Sequence, residues 1–489
     1  MDPLPSGAVD LHVSLHRRGR LAADAYRQLR EAILDGRLRA GERLPATREL
    51  ARRLEVSRNT VLHAYQRLAA EGFLAGRAGA GTYVAAGIRA DARGRRAPAG
   101  AALRPRAAWP SLPAPPAPDP PAAPYDFQVG APDPALFPWD AWRWRVSRQL
   151  RGRRARPGYP PPEGDPGARA AVARHLGVAR SVRAGADDVL LTSGAQQALD
   201  LVGRVLLAPG DRVAVEDPGY PPARAAFEAL GARAVPVPVD AEGLVVDALP
   251  SDARLVYVTP SHQFPLGMPM SLRRRQALLA WSERTGAAIV EDDYDSEFRF
   301  DGRPLEPLQA LDRQGRVVYV GSLSKVLLPT LRLGFLVAPA SLVPALRAAK
   351  ALTDSHGPLE LQRALAELVD DGLLARHVRR VLRIYRERRD RLAAAVERHL
   401  GGRVIALPAS AGLHRSFHLA DASGDEAEVV RRSQALGVAV QPLAPYHARP
   451  GRPGFALGYG VVPAARIDEG IRRLAAALEP PPAARRRRR

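Results

Sequence analysis

Residues 85–124 are dominated by Ala, Arg and Pro, in runs such as Pro113-Ala114-Pro115-Pro116-Ala117-Pro118. A segment of this composition has too little apolar surface to close a core and reads as a semi-extended linker. It forces the 489-residue chain to fold as separate bodies. Residues 13–84 lie before it, residues 125–480 follow it, and a basic tail occupies 481–489. Each body must complete its own core.

In the longer body, apolar runs alternate with helical stretches. The runs are Val189-Leu190-Leu191, Arg212-Val213-Ala214-Val215, Leu255-Val256-Tyr257-Val258, Ala287-Ala288-Ile289-Val290 and Val317-Val318-Tyr319-Val320. Continuous apolar strands separated by helices predict an α/β fold whose mostly parallel central sheet is covered on both faces. No apolar stretch approaches the 18 or so residues of a membrane span. The N-terminus lacks the basic-then-apolar order of a signal peptide. Cysteine is absent, which excludes disulfides, thiolate metal sites and cysteine nucleophiles. The expectation is a cytoplasmic protein with no membrane partner and no metal.

The shorter body reads as helical, then strand-like. An amphipathic pattern covers residues 22–34, and Thr47 is expected to cap a second helix, Thr47-Arg48-Glu49-Leu50-Ala51-Arg52-Arg53-Leu54. Ser57 is expected to cap a third, beginning Arg58-Asn59-Thr60-Val61. Two short helices joined by a tight turn form a helix-turn-helix, whose second helix can reach base edges in the major groove. Residues 72–84 then predict two short strands around a Gly-rich turn, a wing.

This body resembles the GntR family of winged-helix transcription regulators. The resemblance rests on Arg43-Leu44-Pro45-Ala46-Thr47-Arg48-Glu49-Leu50, Val56-Ser57-Arg58-Asn59-Thr60-Val61 and Gly79-Ala80-Gly81-Thr82-Tyr83-Val84. It implies that Arg48, Ser57, Arg58, Asn59 and Thr60 face a double-stranded DNA operator, with Gly79 on the wing tip. Ala80 stands where some relatives carry a basic residue, and Arg77 is the expected substitute. Lys and Arg number 72 against 51 Asp and Glu, a net charge of +21. A GC-rich genome accounts for such a charge as well as a DNA partner does, so charge alone does not decide.

Only two of those 72 basic residues are lysines, Lys325 and Lys350. Arginine stays protonated and cannot act as an amine nucleophile. A lysine retained against this bias is therefore a candidate for forming an imine with an aldehyde. Lys325 closes Gly321-Ser322-Leu323-Ser324-Lys325 directly after a strand-like run, where a pyridoxal phosphate enzyme puts its Schiff-base lysine. Lys350, in Ala348-Ala349-Lys350-Ala351, is expected on an exposed helix face.

Gly194-Ala195-Gln196 follows a strand and opens a helix, so its free amides and the helix dipole suit a phosphate. Ser322 and Ser324 can add hydroxyl donors and Arg332 a guanidinium. Asp292, at the carboxyl end of another strand, can keep a pyridine nitrogen protonated, and Tyr294 can reach the ring hydroxyl.

From about Phe127 onward the chain resembles the fold-type I aminotransferases. As a whole it is similar to the MocR-type regulators, in which a GntR domain is fused to an aminotransferase-like domain. The motifs are Gly158-Tyr159-Pro160-Pro161-Pro162-Glu163-Gly164, Glu216-Asp217-Pro218-Gly219-Tyr220, Thr259-Pro260-Ser261-His262-Gln263-Phe264-Pro265, Glu291-Asp292-Asp293-Tyr294-Asp295-Ser296-Glu297-Phe298 and Ser322-Leu323-Ser324-Lys325. The resemblance implies a smaller α+β C-terminal subdomain and pyridoxal 5′-phosphate as cofactor. It implies that Lys325 links to the cofactor, Asp292 pairs with the ring nitrogen, Tyr294 bonds the ring hydroxyl and Tyr220 stacks on the ring. Tyr159 would enter the neighbouring subunit's phosphate site, which implies a homodimer. His262 and Gln263 stand near the place of a ring-side asparagine and are further cofactor candidates, whereas His414 and His418 read as packing.

Aminotransferases of this fold hold the substrate carboxylate with an arginine near the C-terminus. The comparable run here, Phe455-Ala456-Leu457-Gly458-Tyr459, has none; Arg449 and Arg452 could reach in from the preceding loop. The resulting expectation is a pyridoxal phosphate-binding regulator that senses the cofactor itself or an amine or amino acid. The alternatives are a working aminotransferase with an attached DNA-binding domain, and a DNA-binding protein whose second domain is vestigial.

Overall fold

A computed structural model describes residues 21–77, 80–86, 123–151, 158–301 and 306–479, with isolated positions between 104 and 112. Most of the expected linker, residues 13–20, the C-terminal tail and Gly79 lie outside the described residues. The chain divides into two compact units, Met1–Arg104 and Pro105–Arg489.

The smaller unit has helices Leu21–Leu34, Thr47–Arg53 and Arg58–Ala70, then antiparallel strands Leu74–Arg77 and Gly81–Val84. Leu29, Ile33, Leu50, Val61, Leu68, Leu74 and Val84 are buried together as its core. Ser57 caps the third helix as expected, its Oγ accepting from the Thr60 amide at 3.2 Å. Thr47 does not cap the second. Ala46 (φ −59°, ψ 147°) is the last extended residue, and Thr47 is already helical. Its hydroxyl therefore comes one position too late to accept from the first-turn amides.

The larger unit is built on an eight-stranded sheet. Its order is Val189–Thr192, Gly334–Val337, Val317–Ser322, Ala288–Asp293, Ala253–Val258, Arg212–Asp217, Arg233–Asp240 and Gly243–Leu244. The five strands from Val317–Ser322 to Arg233–Asp240 pair in parallel, while Gly334–Val337 runs antiparallel to both of its neighbours. Every run predicted from the sequence is a strand of this sheet. A second, antiparallel sheet of four strands joins Val404–Ala406, His414–Leu419, Gly454–Gly458 and Gln441–Pro442. The helices Glu426–Ala435 and Ala464–Ala477 belong to the same C-terminal region and pack on one another.

Lys350 departs from expectation. It is 0% exposed, and its ammonium pairs with Asp354 at 2.7 Å. Its helix, Val343–Asp354, packs against Ala195–Leu206, and the small alanines around Lys350 let the lysine turn inward. Among the described residues, no helix is long and apolar enough to cross a membrane.

Candidate cofactor site and DNA-reading face

Parallel strands bring their carboxyl ends to one sheet edge, where open α/β folds bind ligands. The cavity there measures about 500 Å³. Strand Val317–Ser322 delivers Ser322, Ser324 and Lys325 to it, Ala288–Asp293 delivers Asp292 and Tyr294, and the turn after Val189–Thr192 delivers Ala195 and Gln196. Tyr220 and Arg332 complete the set of expected residues lining it. Gly194 is the cap residue of helix Ala195–Leu206 and adjoins the cavity behind Arg332. Tyr159 is not part of the lining. It is 89% exposed, with the ring of His356 6.0 Å away.

Lys325 donates from Nζ to the Gly130 carbonyl. Gly130 has φ +87°, and a Cβ there would lie 3.0 Å from Nζ, so a side chain is excluded from the approach to the amine. Burial lowers the Lys325 pKa, opposed by the negative charges of Asp295 and Asp292. The result is an amine more readily available in its neutral, nucleophilic form than an exposed lysine.

Asp292 is buried. Its Oδ2 accepts from the Tyr257 hydroxyl at 2.7 Å, while Oδ1 is buried with no partner. Burial pushes its carboxyl up to about 7, against the Tyr257 hydrogen bond, which lowers it. Tyr220 meets the Phe264 ring edge-on with centroids 5.7 Å apart, and burial raises its hydroxyl to about 12. The Tyr294 hydroxyl lies 2.9 Å from His262 Nδ1.

The turn after Val189–Thr192 is tightly specified. Gly194 has φ +86°, and a Cβ on it would lie 3.0 Å from the Arg332 guanidinium. Arg332 donates to the Ser193 carbonyl. The Ser322 hydroxyl donates to Ser324 Oγ at 2.8 Å and accepts from the Ser324 amide at 3.1 Å. The first-turn amides of helix Ala195–Leu206 have no intrahelical acceptors.

Three assignments change. Gln263 is buried away from the cavity, donating to the Pro218 and Phe264 carbonyls at 2.8 Å each. His262 is also buried, its Nδ1 3.0 Å from Asp295 and 2.9 Å from the Tyr294 hydroxyl, and it sits behind these lining residues rather than in the cavity wall. His414, expected to be packing, lines the cavity instead; burial, with His262 nearby, pushes its imidazole down to about 4. His418 stays half-buried outside it. Arg452 turns to the Leu419 carbonyl at 3.2 Å and Arg449 is exposed, so among the described residues Arg332 is the one arginine lining the cavity.

Sequence reasoning missed Val129 and Gly130, Phe264, Leu413, Gln441 and Tyr446 in the wall. Phe264 lies inside the motif at residues 259–265, which was the available signal. The others come from segments without one.

On the smaller unit, Arg48, Ser57, Arg58 and Asn59 are exposed on the second and third helices and their junction. Thr60 is half-buried, its hydroxyl 2.9 Å from Ser57 Oγ. Among the described residues neither Arg48 nor Arg58 has an acidic partner. Arg77 is exposed, its guanidinium 4.8 Å from the Tyr83 ring centroid. The side chain of Arg43, which opens the first GntR motif, also lies along the wing against Gly81.

Two family descriptions match the chain. "Bacterial regulatory proteins, gntR family" covers residues 21–84, and "Aminotransferase class I and II" covers residues 127–474. The chain is 37% identical to the probable rhizopine catabolism regulatory protein MocR of Rhizobium meliloti, over 96% of this chain and 94% of that one. It is 39% identical to the transcriptional regulator TauR of Rhodobacter capsulatus, over 94% and 97%. A solved relative is LysN, the alpha-aminoadipate aminotransferase of Thermus thermophilus, complexed with N-(5′-phosphopyridoxyl)-L-leucine. It is 35% identical with a TM-score of 0.66, over 72% of this chain and 91% of that one. A DNA-reading winged helix and a cofactor fold on one chain thus recur together in full-length regulators, and the chain belongs to the MocR-type subfamily of GntR transcription regulators, DNA-binding proteins whose aminotransferase-like domain takes pyridoxal 5′-phosphate.

Proposed function

We propose that this regulator binds pyridoxal phosphate through Lys325 and Asp292, and that occupancy of the site changes how two copies of the chain engage an operator. The observation that carries the reading is Asp292. Its Oδ1 is an unpartnered acceptor in a buried site, and a protonated pyridine nitrogen is a donor that would satisfy it. When bound, the cofactor supplies an aldehyde that a lysine amine can join and a ring that draws electron density away from it.

The chain's own residues fit that group in turn. Lys325 offers a neutralisable amine. The amides at Gly194, Ala195 and Gln196, the hydroxyls of Ser322 and Ser324, and Arg332 offer donors to the phosphate. Tyr220 and Tyr294 bound the ring. Tyr159, exposed on its own chain, is suited to the partner subunit's phosphate site. Exposed Trp139, Trp144 and Leu150 on one helix also support a homodimer. Arg48, Ser57, Arg58, Asn59, Thr60 and Arg77 make the operator contacts, together with Gly79. The work is done in the cytoplasm, where the operator is.

The effector is pyridoxal phosphate itself or an amine or amino acid entering the same cavity. With Arg332 committed to the phosphate, the described lining offers no second guanidinium for a substrate carboxylate. This favours sensing over turnover. A ligand can act this way only by binding one dimer arrangement more tightly than another.

The test is affinity for the DNA upstream of the protein's own gene, apo and loaded, at one salt concentration. A change of about tenfold corresponds to a coupling of ~1.4 kcal/mol and identifies the cofactor as effector. Lys325→Ala should abolish both that change and the visible absorbance of the loaded protein. Equal operator affinity in all states would make the cofactor a fixed group. Sustained transamination of an amino acid would overturn the regulator-only reading.

A further inference from the structure

The chain's other lysine sits behind the same site. Lys350 Nζ has three acceptors around its three hydrogens: Asp354 Oδ1 at 2.7 Å, Asp354 Oδ2 at 2.9 Å and Gln197 Oε1 at 3.3 Å. Gln197 is in the first turn of helix Ala195–Leu206. Its Nε2 donates to Asp354 Oδ2 at 2.7 Å and its Oε1 accepts from the Ser193 amide at 2.8 Å. A carboxamide left to itself has two orientations of similar shape. Here a cation at the oxygen and an anion at the nitrogen exclude the flipped one, so Gln197 must present its oxygen to Ser193.

The Ser193 carbonyl is held in turn by Arg332. Both backbone polar groups of the residue that enters the Gly194 turn are therefore anchored from within the protein. The amides of Ala195 and Gln196 are left facing outward at the positive end of the helix.

We propose that Lys350 is a positioning residue for the phosphate turn, acting through Gln197 and Ser193 to fix the amides that receive the phosphate. The proposal rests on the reading of residues 194–196 as the phosphate site. It also accounts for a second lysine in an arginine-dominated chain. A compact ammonium fits three acceptors in a closed space, whereas a planar guanidinium at that position is too large and its donors diverge.

The test compares the affinities of the full-length apo protein for pyridoxal phosphate and for pyridoxal, which lacks the phosphate. Both carry the same aldehyde and ring, so the ratio of affinities isolates the phosphate turn. Wild type should prefer pyridoxal phosphate strongly. Lys350→Met should lower that preference about tenfold, in the range expected for losing a charge-assisted contact. Its affinity for pyridoxal should stay within about twofold of wild type, well under the roughly tenfold that 1.4 kcal/mol would give. Lys350→Arg should not restore the preference.

Gln197→Met cuts the same link from a half-buried side chain. It should reproduce the loss, and it carries the test if Lys350→Met does not fold. An unchanged preference in the variants overturns the role of Lys350, as does an equal loss for both ligands, which would mean a general structural effect. A wild type that binds both ligands equally would remove the phosphate reading itself, and this proposal with it.

Discussion

Asp292 is a buried carboxylate with half of its acceptor capacity unmet, and such a group costs stability until something donates to it. Burial raises its pKa from 3.8 to about 7. The folded apo protein therefore retains a proton that the unfolded chain has already released. Where the native state binds more protons than the unfolded state, stability falls as pH rises. The loss is spread between about pH 4 and 7 and levels off above. Asp292→Asn is uncharged throughout and keeps an acceptor for the Tyr257 hydroxyl. Apo Asp292→Asn should match wild type near pH 4 and exceed it at pH 8 by ~1–3 kcal/mol, the usual cost of an unmet buried group. Urea unfolding of both apo proteins at the two pH values measures this, and a wild type more stable at pH 8 refutes it. The same substitution should weaken cofactor binding, because the neutral amide no longer favours a protonated ring nitrogen.

Single elements carry both structural and recognition residues, as the helix Arg58–Ala70 and its cap show. Ser57 closes its first turn from outside, so Ser57→Ala should cost ~1 kcal/mol. That is about a fivefold acceleration of amide hydrogen exchange in this helix. Arg58 is exposed and without an acidic partner among the described residues. Arg58→Ala should leave exchange unchanged but weaken operator binding by ~1–3 kcal/mol if the guanidinium reads a base; unchanged affinity would remove it from the contact set. The elements themselves were legible because burial on both faces makes a parallel strand an unbroken apolar run, as at Val317-Val318-Tyr319-Val320. The residues at their carboxyl ends were legible for the same reason, since the fold turns strand ends into a site. The far wall was not. Gly130, Leu413, Gln441 and Tyr446 reach the cavity only once segments hundreds of residues apart have packed. Nothing local distinguishes Gly130 from any other glycine until its φ of +87° and its distance to Lys325 are known. Lys350 was misread because alanine neighbours look like an exposed helix face and equally allow close packing against another helix.

At the scale of the whole molecule, the proposed dimer makes a prediction that no single chain can. If Tyr159 serves the neighbouring subunit, each site combines Lys325 of one chain with Tyr159 of the other. Lys325→Ala removes the covalent link from both sites of its homodimer. Tyr159→Ala removes one contact to a charged phosphate from both sites of its own, a loss of ~1.5–3 kcal/mol. When the two variants exchange subunits, each mixed dimer has one site carrying both defects and one carrying neither. Half of the dimers in an equal mixture are mixed, so about a quarter of all sites should regain wild-type affinity, as isologous pairing requires. A titration of the mixture at low cofactor concentration would then show a tight phase that neither parent has. If Tyr159 instead acts within its own chain, or not on the cofactor at all, no mixed dimer contains an intact site beyond what its parents supply. The tight phase would then be absent. Its presence would also supply the physical link needed for regulation, because a cofactor held by both subunits at once stabilises one arrangement of the pair over others.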